Sequence, residues 1–112
     1  MHDIAEFFTK DSWFTLSIMK QLTFVGYRVG LVIDLRKKGN IAQVNDELEK
    51  ALQLLEFTII DPKNMKRLSE ITKIKEALID DFQDNNEYKS TDEGWLKYFA
   101  FFEHLVKTNN EG

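Results

Sequence analysis

Residues that interrupt regular secondary structure are scarce in this sequence. The 112 residues include one proline, Pro62, and five glycines. Because proline and glycine are the strongest local breakers of helices, a chain with so few of them is expected to form long helices rather than many short strands. The sequence therefore predicts an all-α protein, with residues 1–112 forming a single helical domain.

The most apolar stretch, from Trp13 to about Lys38, predicts a long central helix. Apolar side chains recur there at helical spacing on nearly every side, as expected of a helix that other elements surround. We expect its N-cap at Asp11 or Ser12, and Gly39 suits the cap that follows its last turn.

Part of the same stretch leaves a second interpretation open. Residues 22–35 are rich in β-branched and aromatic side chains, which favour strands. The alternative fold is therefore α+β, with a β-hairpin around residues 22–35 that turns near Gly26 or Gly30. The stretch has no Asn-Gly or Asp-Gly turn and no strict alternation of apolar and polar residues, which favours the helix.

Two more helices are predicted in the middle of the chain. Apolar residues three and four apart indicate an amphipathic helix from about Ile41 to Phe57, which residues 57–60 either extend or fray. Asp61 and Pro62 then suit the N-cap and the first position of the next helix. A polar loop over 84–89 is expected to end that helix.

The chain is expected to close with one more long helix. Residues 90–93, Ser-Thr-Asp-Glu, form a capping-box sequence, and the helix is expected to end near Lys107. Residues 3–9 predict a short helix at the other terminus. The prediction is therefore an antiparallel four-helix bundle with a short extra N-terminal helix.

The last predicted helix carries five aromatic residues within eight positions: Trp95, Tyr98, Phe99, Phe101 and Phe102. At about 100° per residue, Trp95, Phe99 and Phe102 share the side expected to face the core. Tyr98, Phe101 and Leu105 lie at the edge of that side. Either N-terminal aromatics cover this edge, or it stays exposed and anchors a partner. Tyr98, Phe101 and Leu105 are therefore candidate partner-binding residues.

An acidic cluster lies near the end of the helix that is predicted to follow Asp61 and Pro62. Asp80, Asp81 and Asp84 lie close together in the sequence. Their spacing is not that of an EF-hand loop, so a metal site is not expected. We take these three residues as a candidate surface for a basic segment of a partner protein.

Gly26 and Gly30 have the spacing of a GxxxG motif. In a helix, two glycines four residues apart expose a strip of backbone that lets another helix approach closely. They are candidate residues for close helix packing, either inside the bundle or between two copies in a homodimer. They do not form a phosphate-binding loop, because neither GxGxxG nor GxxxxGK[ST] is present.

Several chemistries lack the residues they need. The sequence has no cysteine, which excludes disulfides, thiol nucleophiles and thiolate metal ligands and suits a reducing compartment such as the cytoplasm. It has neither HExxH nor ExxH, and no arrangement of a nucleophile with its base can be argued. We therefore predict no catalytic residues, no metal ligands, no cofactor and no enzymatic activity.

The distribution of charge bears on the class of partner. The net charge is −4, which does not favour anionic backbones or membranes. Residues 62–79 hold five Lys or Arg against two Glu, but the other basic group, 36–38, is separated from them by one whole helix. Two patches at opposite poles of a bundle do not form a continuous phosphate track, so nucleic acid is not expected. A membrane span is not expected either, because charged residues interrupt the apolar stretch.

These observations predict a small cytoplasmic helical protein that acts by protein–protein binding. An adaptor, a chaperone-like factor, or an inhibitor or immunity-type protein would fit, and the partner is another protein or a second copy of this chain. The alternative is a small regulatory helical module that binds nucleic acid or a small ligand.

Overall fold

The computed structural model describes residues 8–108 and shows an all-α fold. Its elements are α1 (Lys10–Phe14), α2 (Ile18–Lys37), α3 (Ile41–Ile60), a 3-10 segment (Pro62–Arg67), α4 (Leu68–Gln83) and α5 (Asp92–Thr108). No strand occurs within residues 8–108. The α+β alternative is therefore wrong, because residues 22–35 lie inside α2.

The predicted central helix is divided in two. Thr9 caps α1 by accepting a hydrogen bond from the Ser12 backbone N–H, and Ser17 caps α2 in the same way through Lys20. These short polar side chains satisfy the first N–H groups of each helix and favour a new start over continuation. The predicted N-caps at Asp11 and Ser12 are therefore wrong. The predicted helix over 3–9 lies largely outside the described residues.

Two other boundaries differ slightly from the prediction. Asp61 is a cap, accepting a hydrogen bond from the Lys63 N–H at 3.2 Å, but Pro62 opens the 3-10 segment and the α-helix begins only at Leu68. At the start of α5, the side-chain oxygen of Thr91 accepts from the Gly94 N–H at 3.0 Å. The cap thus falls one residue later than the capping-box sequence predicts.

The four long helices form a bundle with α2 at its centre. The backbone of α2 packs along both α3 and α5, and α4 packs on α3. The helices enclose one apolar core, which includes Trp13, Leu22, Val25, Val29, Leu48, Leu55, Ile71, Leu78 and Phe102. The backbones of α4 and α5 come close at few points, so the bundle is open between these two helices. Within residues 8–108, no helix has both the length and the apolarity that crossing a membrane requires.

The two glycines of the GxxxG motif differ in their surroundings. A Cβ atom added to Gly26 would lie 2.5 Å from the Cβ of Phe99, so α2 and α5 approach closely at this point. At Gly30, the nearest atom to an added Cβ is Leu96 Cδ2 at 3.9 Å, an ordinary contact distance. Close packing is therefore confined to Gly26, and the candidate assignment of Gly30 is corrected. Both glycines face α5 of the same chain.

Candidate functional site: the groove between α4 and α5

An open groove of about 840 Å³ lies between α4 and α5. We call it the α4–α5 groove. Its apolar lining consists of Ile74 and Ala77 on one side and Trp95 and Tyr98 on the other. Trp95 is nearly buried and its ring stacks on that of Phe99, with 6.0 Å between ring centres. The groove therefore has a firm aromatic and aliphatic floor that belongs to the core.

The rim of the groove is cationic. Lys66 and Arg67 from the 3-10 segment, Lys73 from α4 and Lys89 from the following loop line it, against one acidic residue, Glu70. Within the described part of the chain, Lys66, Lys73 and Lys89 form no ion pair. Among residues 8–108, no carboxylate forms an ion pair with any of these three ammonium groups.

Glu70 joins the two walls of the groove. Its Oε1 accepts hydrogen bonds from Arg67 Nε at 3.0 Å and Arg67 Nη2 at 2.6 Å. Its Oε2 accepts one from the Tyr98 hydroxyl on α5 at 3.1 Å. Burial raises the pKa of Tyr98 above its ordinary value, and the Glu70 carboxylate adds to that rise. Tyr98 is therefore a neutral phenol that donates a hydrogen bond to Glu70.

The loop before α5 holds Lys89 at the rim. Asn86 and Lys89 both have left-handed backbone conformations, with φ of 52° and 55°. The Asn86 side chain exchanges two hydrogen bonds with the backbone of Ser90, at 2.8 and 2.9 Å. Asp80 accepts hydrogen bonds from the backbone N–H groups of Glu87 and Tyr88 at 2.9 and 3.0 Å. These bonds define a single loop conformation, and Lys89 takes its position from it.

A cluster around Arg36 ties the same helices together near this loop. Arg36 donates to Asp81 Oδ1 at 3.0 Å and to Asp92 Oδ1 at 2.6 Å, while its guanidinium lies 4.0 Å from the centre of the Phe82 ring. Trp95 Nε1 donates to the other oxygen of Asp81 at 2.8 Å. Side chains from α2, α4 and α5 thus meet here, which fixes the distance between the two walls of the groove.

The acidic cluster predicted as a partner surface is not one surface. The side chain of Asp81 is 3% exposed and is engaged by Arg36 and Trp95. Asp80 shapes the loop through its two backbone hydrogen bonds. Of the three aspartates, only Asp84 is exposed. The Asp81 side chain thus has almost no exposed surface to offer a partner, whereas the role of Asp80 and Asp84 as partner-binding residues stays a prediction.

The predicted aromatic edge lies beside the groove. Tyr98 lines it, and Phe101 and Leu105 follow one and two turns further along α5, close to the same side. Phe101 is 57% exposed, whereas its neighbour Phe102 is buried, with the two ring centres 5.5 Å apart. The ring of Phe8 lies on Trp13, 4.8 Å away, and not on Phe101. The described N-terminal aromatics therefore leave Phe101 uncovered.

Sequence reasoning missed the groove itself. The surplus of basic residues over 62–79 was visible, but Lys89 joins them only through the loop conformation. The bond from Tyr98 to Glu70 spans 28 positions and depends on how α4 and α5 are placed. No local spacing predicts such a contact, so the residues that form the groove were assigned to separate features.

Neither metal-ligating side chains nor similarity to known proteins assigns a function to this chain. No group of three or more His, Asp or Glu side chains within residues 8–108 lies close enough together to hold a metal ion. The chain matches no model of a protein family, no curated protein and no solved structure. The function is therefore argued from the groove alone.

Proposed function

We propose that this protein acts by binding another protein and not by catalysis, and that the α4–α5 groove receives an acidic, partly apolar segment of that partner. One observation carries the proposal: three lysines that form no ion pair with any of residues 8–108 stand around an apolar floor. A segment that places apolar side chains on the floor and carboxylates at the rim would complement both.

The two parts of the groove contribute differently to binding. Apolar contact with Ile74, Trp95 and Tyr98 supplies affinity, since buried aromatic side chains are frequent anchors of interfaces. The lysines supply orientation and a faster encounter with an acidic partner. Phe101, exposed beside the groove, offers a further apolar contact. This combination fits an adaptor, a chaperone-like factor or an inhibitor, and the cysteine-free sequence is compatible with the cytoplasm.

A small anionic molecule is a second candidate occupant. The observation that favours it is the size of the groove, since about 840 Å³ falls within the range typical of small-molecule sites. The openness of the bundle between α4 and α5 favours an extended segment over a small molecule, because small-molecule sites are typically concave and enclose most of their ligand.

The proposal is tested with a library of random 12-residue peptides displayed on phage and selected on the purified protein. We expect the selected peptides to share aspartate or glutamate together with aromatic or large aliphatic residues. A synthetic, fluorescently labelled copy of one of them then serves as the probe, with its affinity measured by fluorescence anisotropy.

Charge reversal in the groove is the matching variant. We expect Lys66→Glu with Lys73→Glu to weaken binding of the probe at least tenfold, because like charges then face its carboxylates. Lys10→Glu with Lys37→Glu is the control, since both of these lysines are exposed and lie outside the groove. Unchanged melting temperatures would show that both proteins remain folded.

Three outcomes would reject the proposal. The first is selected peptides that carry no acidic residues. The second is equal loss of affinity in the groove variant and the control variant. The third is a selection that yields no peptide, together with salt-dependent binding of a labelled DNA or RNA oligonucleotide. That result would favour a nucleic-acid-binding module instead.

A further inference from the structure

We infer that Glu70 occupies a carboxylate subsite of the α4–α5 groove, so that an acidic side chain of the partner binds there by displacing Glu70 from Arg67 and Tyr98. This inference rests on the proposed function, since it assigns a specific role to residues of the same groove.

The geometry around Glu70 is that of a preformed carboxylate site. Two N–H groups of Arg67 converge on one oxygen, at 3.0 and 2.6 Å, and the Tyr98 hydroxyl reaches the other at 3.1 Å. Arginine with its planar fork is the side chain best suited to carboxylates. The donors come from both walls of the groove, so a carboxylate at this position lies within the groove and not on its outer surface.

Glu70 is held weakly enough to be replaced. Its side chain is 39% exposed and that of Arg67 36%, and the two residues are three apart in sequence. Ion pairs of this kind contribute little to stability because water screens them. An incoming carboxylate would take over the same three hydrogen bonds, and the released Glu70 would return to water. The partner's other contacts, to the floor and the lysines, make the exchange favourable.

The exchange also gives the groove selectivity. In the free protein, Glu70 keeps Arg67 and Tyr98 in position, so these side chains lose less conformational entropy when a partner binds. An apolar segment without a carboxylate cannot replace Glu70 and leaves its charge under the ligand. A segment with an acidic residue at the right place removes that charge from the site. Glu70 is in this sense a specificity-determining residue.

The test compares Glu70→Gln with Glu93→Gln, using the acidic peptide selected on the wild-type protein. Each change removes one negative charge from a residue that pairs with a basic side chain on the same stretch of chain, Arg67 or Lys97. Glu93 does not line the groove. We expect Glu70→Gln to tighten binding about two- to fivefold, the range that corresponds to an exposed ion pair. Glu93→Gln should leave the affinity unchanged.

A second variant identifies the displaced contact. Arg67→Gln should weaken binding of the same peptide, and in that background Glu70→Gln should give a smaller gain, because Arg67 supplies two of the three hydrogen bonds that Glu70 accepts. The NMR signal of the Arg67 side-chain N–H should also move on addition of the peptide to the wild-type protein. In Glu70→Gln without peptide, the same signal should move, since the bond to Glu70 is lost in both cases.

Failure of this inference differs from failure of the proposed function. If Glu70→Gln weakens binding or matches Glu93→Gln while the double lysine variant still loses affinity, the groove remains a binding site but Glu70 is not displaced. If the peptide binds the double lysine variant as tightly as the wild type, the groove is not the binding site and both proposals fail.

Discussion

Polar side chains gather in two regions of this protein, and the regions differ in whether those side chains find partners within the chain. The first, which we call the polar corner, lies where α1, α2, α3 and the 3-10 segment meet and consists of Trp13, Gln21, Thr58, Asp61 and Asn64, all buried. The second is the α4–α5 groove, which is open to solvent and rimmed by lysines that form no ion pair within the described part of the chain.

The polar corner is a closed hydrogen-bond network. Gln21 donates to the Trp13 carbonyl at 3.0 Å and to Asp61 at 2.9 Å, and accepts from Asn64 at 2.8 Å. Asn64 also donates to the Thr58 carbonyl, and the Trp13 ring N–H donates to the Thr58 hydroxyl. Buried polar groups without partners are costly, so this network positions the elements that carry it.

The difference between the two regions separates structural from functional polarity. In the polar corner every interaction is internal, which leaves nothing for a ligand to satisfy. In the groove the cations exceed the available carboxylates, so an external acidic group has unmatched charge to meet. The same distinction explains why Asp81, although part of an acidic run in the sequence, belongs with the structural group: it is 3% exposed, and its partners, Arg36 and Trp95, are residues of this chain.

The largest expected effect lies within α5, which forms one wall of the groove. Phe102 is 1% exposed, so Phe102→Ala should leave a cavity and lower the free energy of unfolding by about 3–5 kcal/mol. Phe101→Ala, at an exposed position, should change it by no more than about 0.5 kcal/mol. Chemical denaturation of both variants measures the difference. Equal losses would mean that Phe101 is part of the core and that no aromatic edge is free beside the groove.

The next effect tests the polar corner directly. Gln21→Ala removes a side chain that bonds Trp13, Asp61 and Asn64, and it should lower the free energy of unfolding by about 2–3 kcal/mol, because buried groups lose partners. Lys73→Ala in the groove should cost about 0.5 kcal/mol or less. If Lys73→Ala proved as costly as Gln21→Ala, the groove lysines would have a structural role and the contrast between the regions would not hold.

The two glycines of α2 provide a matched pair. Gly26→Ala places a Cβ atom 2.5 Å from that of Phe99, so it should destabilise the protein by about 1 kcal/mol or more through overpacking. Gly30→Ala meets only an ordinary contact and should stabilise it by up to about 1 kcal/mol through helix propensity. Thermal melts give the two signs. A stabilised Gly26→Ala would contradict the close approach of α2 and α5 at Gly26.

The smallest expected effect concerns alkaline pH and Tyr98. Its pKa is higher in the folded protein than in the unfolded chain, where tyrosine titrates near 10. The unfolded chain therefore loses this proton first, and stability falls as the pH rises above about 10. The contribution between pH 10 and 11 is at most about 1 kcal/mol, reduced by solvent screening. In Tyr98→Phe, the free energy of unfolding should fall less steeply with pH above about 10. Chemical denaturation at several pH values measures this, and an unchanged pH dependence would contradict the raised pKa of Tyr98.

Much of the fold was predictable because it depends on local patterns. Apolar residues at helical spacing and the shortage of breakers predicted an all-α protein, and Asp61 was predicted as a cap from its position before Pro62. The break between α1 and α2 was not predicted, since the caps at Thr9 and Ser17 occur within an otherwise apolar pattern. Local hydrogen bonds there outweigh the continuity of that pattern.

The site was less predictable because it depends on pairing across the fold. Tyr98 and Phe101 were identified from their angles on one helix, and both lie at or beside the groove. The hydrogen bonds of Asp80 and Asp81 were not predictable, because their partners come from the loop and from other helices. Side-chain type and helical angle place a residue on a surface, but they do not identify its hydrogen-bond partner.

We propose that the α4–α5 groove binds an acidic segment of a partner protein. The most direct measurement is a titration of the ¹⁵N-labelled protein with the selected acidic peptide, followed by two-dimensional NMR. We predict that the largest chemical-shift changes fall on Arg67, Lys73, Lys89 and the Trp95 ring N–H, while signals of the polar corner stay unchanged. Shifts centred on the outer face of α2 and α5, around Tyr27 and Leu96, with an unaffected groove would contradict it.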